Sequence, residues 1–153
     1  MSEKYKTYEK GIFFATLTIV GWIDVFTRKQ YCDEIIKNLN FCINNKGLKV
    51  YAFVIMPSHI HMIAKTQEGL LKSVLRDFKS FTSKSIIKLI KENIQESRKK
   101  WLLYMFEYFS KKNNRDTNYQ FWQHSNHPID MVSNKILKQK IDYIHYNPVT
   151  AGI

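Results

Sequence analysis

Two histidines one residue apart, His59 and His61, are the side chains whose type and spacing point most directly to chemistry. They open HIHMIAKT, residues 59–66, whose alternation reads as a strand. On a strand, residues i and i+2 share a face, so both imidazoles project from one side, near enough to hold one divalent ion. Ile60, Met62 and Ala64 fall on the other side and suit a core. Two imidazoles fill only part of a metal's coordination shell. That incompleteness fits catalysis better than a structural site, because substrate oxygens can take the vacancies. The plainer reading of the pair is two partly exposed histidines at a sheet edge.

Tyr143 and Asn147 form a second constellation. Their i, i+4 spacing puts them on one stripe of a helix. Leu137, Ile141 and Ile144 make a neighbouring apolar stripe that can dock this helix on a sheet, and Gln139 and Lys140 lie one turn before the tyrosine. A tyrosine is a poor nucleophile at its ordinary pKa of about 10, so an attacking role needs a cation or metal beside the attacked group. As packing, Tyr143 would be one side of an amphipathic helix, and Asn147 a C-terminal cap before Pro148.

The chain around these residues carries 24 Lys and Arg against 13 Asp and Glu, a formal net charge of +11 over 153 residues. With 44% apolar residues, 14% of the chain aromatic, it is no disordered basic tail. A folded chain this basic is expected to meet a polyanion, nucleic acid first. The length is one ordinary domain, read as a single unit over residues 1–153. No run is long and apolar enough to span a membrane, and the N-terminus lacks the apolar core of a signal peptide. Cys32 and Cys42 fall in one helix, about 15 Å apart by helical rise. They are expected to be buried thiols of a reducing cytosol, so the location implied is cytoplasmic. Five scattered glycines make no phosphate loop, and no cysteine pair has zinc-knuckle spacing.

The positioning elements follow from periodicity and breakers. Residues 11–20 read as a central strand. Residues 27–45 read as a helix capped by Thr27, with Ile35, Ile36, Leu39 and Cys42 inward. Residues 48–56 and 59–66 read as a hairpin turning at Pro57-Ser58. A long helix follows Gly69, with Leu71, Val74, Leu75, Phe78 and Phe81 apolar and Lys72, Arg76 and Lys79 basic. Residues 91–112 read as helical, 119–123 as a short strand, and 134–146 as a last helix closed by Pro148. The order predicts an α+β, ferredoxin-like (split βαβ, RRM-like) fold. It has a four-stranded antiparallel sheet, helices on one face and an added C-terminal helix.

VIMPSHIHMIAK (54–65) resembles the histidine-hydrophobic-histidine motif of the small single-tyrosine HUH transposases. FWQHSNHP (121–128), followed by YIHYNPVTAGI (143–153), resembles the C-terminal half of the REP-associated tyrosine transposases. The resemblance implies that His59, His61 and Asn147 hold a divalent ion, Mg²⁺ or Mn²⁺. It implies that Tyr143 attacks a phosphodiester of single-stranded DNA at or near a hairpin or palindromic repeat. The enzyme becomes linked to the 5′ phosphate, a 3′-OH is released, and a second 3′-OH reverses the step and joins strands. Some relatives have glutamine at the Asn147 position, and many continue past the point where this chain stops, which implies a short or truncated member.

For DNA contacts, the basic residues Lys65, Lys72, Arg76, Lys79 and Lys140 are read as phosphate ligands, and Trp122 and Gln123 as neighbours of unpaired bases. The apolar first strand, with Phe13, Phe14, Ile19 and Trp22, points to a homodimer, with the tyrosine supplied in cis or in trans. Two other classes compete with the transposase: a module that grips structured single strands without cutting, and a metal-dependent hydrolase that acts through water.

Overall fold

The structure is a computed structural model. It describes residues 11–131 and 134–150, apart from the side chains of residues 134 and 147–150. The elements are β1 (Phe13–Thr18), a 3-10 turn at Val20–Trp22, α1 (Lys29–Asn45), β2 (Leu48–Met56), β3 (His59–Thr66), α2 (Leu71–Glu92), α3 (Lys99–Lys112), β4 (Ile129–Asp130) and α4 (Asn134–Thr150). The sheet runs β2-β3-β1-β4 and is antiparallel throughout. This is the split βαβ order expected from the sequence.

One face of the sheet carries the main core. Ile60, Met62 and Ala64 of β3 meet Phe13, Ala15 and Leu17 of β1 there, beneath α1 and α2. Alternation in β3 sends Ile63 and the two histidines to the other face. On that face Phe14, Ile63, Met131 and Ile144 make a small second cluster, with Leu137 and Ile141 packed against it. α4 therefore crosses the open face over β2 and β3, docked by the apolar stripe read from its sequence.

Four local expectations are corrected. The segment 119–123 is not a strand. It makes a single bridge, Ile19↔Trp122, and the regular fourth strand is β4, which pairs Phe13↔Asp130 and Phe14↔Ile129. The backbone of 121–126 still follows β1, bonding it at Val20, Thr18 and Thr16. The ladder between is broken because His127 takes φ +44° and Pro128 has no N–H to give. Thr27 does not cap α1; Arg28 holds that position without a side-chain cap bond. Phe81 is 68% exposed and Ile36 is also outside, while Thr82 is buried in place of Phe81. The buried stripe of α2 runs 71, 74, 75, 78, 82, 86, and Phe81 lies off it. Pro148 does not close the last helix, which runs to Thr150. Proline removes one donor there without stopping the backbone.

The helical region 91–112 is divided. The chain between α2 and α3 turns around Glu96, whose buried carboxylate accepts from Arg28 Nε at 3.0 Å, from the Tyr31 hydroxyl at 3.1 Å and from the Arg98 amide at 3.2 Å. A buried charge persists only when so paired. Cys32 and Cys42 are free thiols. No helix among the described residues is long and apolar enough to cross a membrane.

Candidate active site

β3 delivers the two imidazoles as its alternation dictates. Their ring centroids are 4.7 Å apart. His61 is 7% exposed, packed parallel to the Phe14 ring at 5.2 Å. The cross-strand register Thr16↔His61 puts the Thr16 hydroxyl 3.0 Å from His61 Nδ1. At the hairpin turn the Ser58 hydroxyl lies 3.1 Å from His59 Nδ1. Each ring thus has one nitrogen fixed by a hydroxyl, leaving Nε2 as the nitrogen for a ligand. Thr16 and Ser58 were not singled out in the sequence. Ser58 was legible only as turn chemistry, and Thr16 required knowledge of the register.

Burial lowers the pKa of both histidines. His61 falls from 6.5 to about 4, through burial first, then the neighbouring His59 and the Lys140 ammonium. His59 is lowered by burial. Both rings are accordingly neutral at pH 7, the form that binds metal. A hydrogen-bond partner on the second nitrogen is the usual way to orient metal-binding imidazoles, and hydroxyls fill that place here. The pair therefore fits a divalent ion as two of its ligands. Among the described residues no three His, Cys, Asp or Glu side chains gather at one point, so other ligands would have to be an amide, water or substrate. The Asn147 side chain, the expected third ligand, lies outside the described residues.

α4 brings Tyr143 to the same place. Its ring meets His61 edge-on at 5.3 Å between centroids and Phe14 at 6.1 Å, and it is 47% exposed. Lys140, one turn earlier, holds its ammonium 4.9 Å above the Phe14 ring and 5.8 Å from that of Tyr143. The histidines, the tyrosine and this lysine are assembled within one chain. The apolar first strand, expected to need a homodimer partner, is covered within the chain: β1 lies between β3 and β4, and Phe13, Phe14 and Ile19 are buried. Of that group only Trp22 is exposed, with its ring edge-on to His59 at 5.7 Å.

The other expected DNA contacts divide. Lys72 and Arg76 line a groove of about 990 Å³ between α2 and residues 115–128, with Lys84, Lys88, Lys91 and Arg115. Among the described residues no acidic one lines it. Lys65 lies on β3 in register with Lys49, on the histidine side of the sheet but at the far end of the strand. Lys79 is corrected from phosphate contact to structural pin. Its ammonium donates to the carbonyls of Gln123 and His124, at 2.6 and 3.0 Å, and to Asn126 Oδ1 at 2.8 Å. All three protons are thus committed, and burial, then Arg115, brings the group down to about 8. Trp122 is corrected likewise: it is 5% exposed, packs on Phe121 and Phe78, and gives its N–H to the Thr82 hydroxyl. Gln123 borders the groove, its backbone held by Thr18 and Lys79. His124 and His127 are exposed loop residues and His145 is exposed on α4.

No family model matches the chain, and no curated protein matches it. Among solved structures it is similar to a REP-associated tyrosine transposase bound to a REP hairpin. The TM-score is 0.60 at 20% sequence identity, over 99% of this chain and 75% of that one. What the two share at that identity is the fold.

Proposed function

We propose that the chain is a transposase of the single-tyrosine HUH kind, which binds hairpin-bearing DNA and cuts and rejoins single strands through a 5′-phosphotyrosine. The observation that carries this reading is Tyr143 against His61, beside a histidine pair whose second nitrogens are already tied to hydroxyls. The likeness in fold to a hairpin-bound tyrosine transposase supports it.

His59 and His61 would hold a divalent ion, with Asn147 as a further ligand. Such an ion, when bound, polarises the scissile phosphate and neutralises charge that develops on it. Imidazole nitrogens suit Mn²⁺ better than Mg²⁺, so Mn²⁺ is expected to support activity at least as well. The Tyr143 oxygen attacks phosphorus and gives up its proton, and the Lys140 ammonium, 5.8 Å from the tyrosine ring, is placed to meet the phosphate that is attacked. The P–O3′ bond breaks, the departing oxygen takes a proton, and the phosphotyrosine keeps the bond energy for rejoining. Thr16 and Ser58 fix the imidazoles, so little reorganisation is needed when substrate arrives. The basic groove along α2 would take phosphates without reading sequence.

The test is an incubation with a hairpin oligonucleotide carrying single-stranded flanks, with Mn²⁺, followed by a denaturing gel. A protein–DNA adduct is expected with the parent chain and none with Tyr143→Phe. An adduct that survives Tyr143→Phe removes the nucleophile from this tyrosine. Cleavage with free 5′ phosphate and no adduct would indicate hydrolysis through water. Tight hairpin binding indifferent to EDTA and to His59→Ala, without cutting, would indicate a binding module.

A further inference from the structure

Neither backbone conformation nor burial accounts for a tryptophan at position 22. It follows Gly21 in a tight turn closed by the Ile23 amide on the Val20 carbonyl, and both turn residues have positive φ, +64° and +55°. Such a turn favours glycine or asparagine at each central position, and a bulky residue there is strained. Gly21 is explained, because a Cβ on it would come within 2.8 Å of the Phe109 ring and its φ suits only glycine well. Trp22 is not explained by burial, since it stays 61% exposed. A strained, exposed indole is what a site for a ligand retains and what a folding requirement would discard.

Its position gives the ligand. Along the open face the aromatic rings form a row. Trp22 meets His59 at 5.7 Å, His59 meets His61 at 4.7 Å, and His61 meets Tyr143 at 5.3 Å. Tyr143 sits at the Phe14 end of the row, while Trp22 follows the other end of β1, beyond Thr18. The histidine pair lies between nucleophile and indole. Phosphoryl transfer puts attacking and leaving oxygens roughly in line on opposite sides of phosphorus. With Tyr143 attacking from one end, the departing 3′-oxygen and its nucleoside lie toward the other. We propose that the Trp22 indole stacks on the unpaired base of the nucleotide that carries the leaving 3′-oxygen. Stacking there would also hold the released strand end in place for rejoining. The inference rests on the reaction proposed above, and its binding test does not depend on cleavage.

The test uses the full chain with Tyr143→Phe and Trp101→Phe, in EDTA, so that nothing is cut and the emission comes from Trp22 and the buried Trp122. Titration with the single-stranded oligonucleotide (dT)₁₀ is expected to quench this emission, and Trp22→Phe is expected to remove most of the quench. Trp22→Ala is expected to weaken (dT)₁₀ binding about tenfold, with Trp22→Phe recovering part of it. Thermal unfolding of each variant checks that the fold is kept, and relief of the positive φ by Trp22→Asn should leave stability equal or higher. An unchanged affinity in Trp22→Ala, or quenching that survives Trp22→Phe, overturns the stacking role. So does sedimentation showing that Trp22→Ala abolishes self-association while leaving (dT)₁₀ binding intact. Stacking with no adduct in the parent chain would instead overturn the proposed cleavage.

Discussion

The two faces of the sheet use the same strands in opposite ways. On the α1/α2 face, Ile60, Met62, Phe13 and Leu17 interlock with Ile35, Leu75 and Phe78 in a continuous core. On the α4 face the buried cluster among the described residues is Phe14, Ile63, Met131 and Ile144, with partly buried apolar neighbours such as Leu137 and Ile141, and His61, Tyr143 and Lys140 lie beside it. The first face holds the fold and the second holds a helix lightly over a polar site. The candidate site lies where the structure can tolerate partial exposure and polar neighbours, and stability is placed where it cannot.

That division can be broken from either side. Phe78→Ala empties a fully buried ring position and is expected to cost about 3–5 kcal/mol in urea unfolding, enough to threaten the fold. Ile144→Ala on the other face is expected to cost only about 2 kcal/mol. It should nevertheless lower adduct formation strongly, because Ile144 docks the helix that carries Tyr143. Equal losses of stability in the two variants would show that the faces are not divided in this way.

Acid should act on the site face. The folded pKa of His61 lies near 4, below the unfolded 6.5, so the native state binds fewer protons between these values. Stability of the metal-free protein should therefore be full above about pH 6.5 and fall as pH drops toward 4, by about 3 kcal/mol at most from this residue. Urea unfolding in EDTA at pH 7 and pH 4.5 measures it. The drop should shrink in His61→Gln, and an identical drop in that variant would contradict the assignment.

Smaller effects refine the comparison. Thr16→Val keeps the shape but removes the hydroxyl beside His61 Nδ1. Mn²⁺ affinity by calorimetry is expected to fall about tenfold, with little change in unfolding. On the α2 groove, Lys88→Gln should weaken hairpin binding equally for all sequences and reduce the slope of log affinity against log salt by about one. A sequence-dependent loss there would mean that the groove reads bases.

The elements legible in the sequence were those with strong periodicity: β1, both hairpin strands, α1, α2 and α4, and hence the sheet order. The least legible was the fourth strand. YQFWQ has strand composition, yet Phe121 and Trp122 serve the core while the backbone makes one bridge, and a two-residue strand with no alternation to betray it, Ile129 and Asp130, does the pairing. Lys79 and Trp122 looked like DNA contacts because a lysine's partners and a tryptophan's exposure are set by segments forty or more residues away.

What the sequence determined by itself was the chemistry on offer: two histidines on one strand face, a tyrosine on an amphipathic helix, and a positive charge to meet a polyanion. Period-two alternation and helical spacing are local, so they can be read without coordinates. The tertiary structure decided the rest. It set Thr16 opposite His61, laid α4 across the open face so that Tyr143 meets that histidine, tied Lys79 to residues 123–126, and left Trp22 exposed at His59. Each of these depends on strand register or on packing between distant segments, which no local pattern encodes.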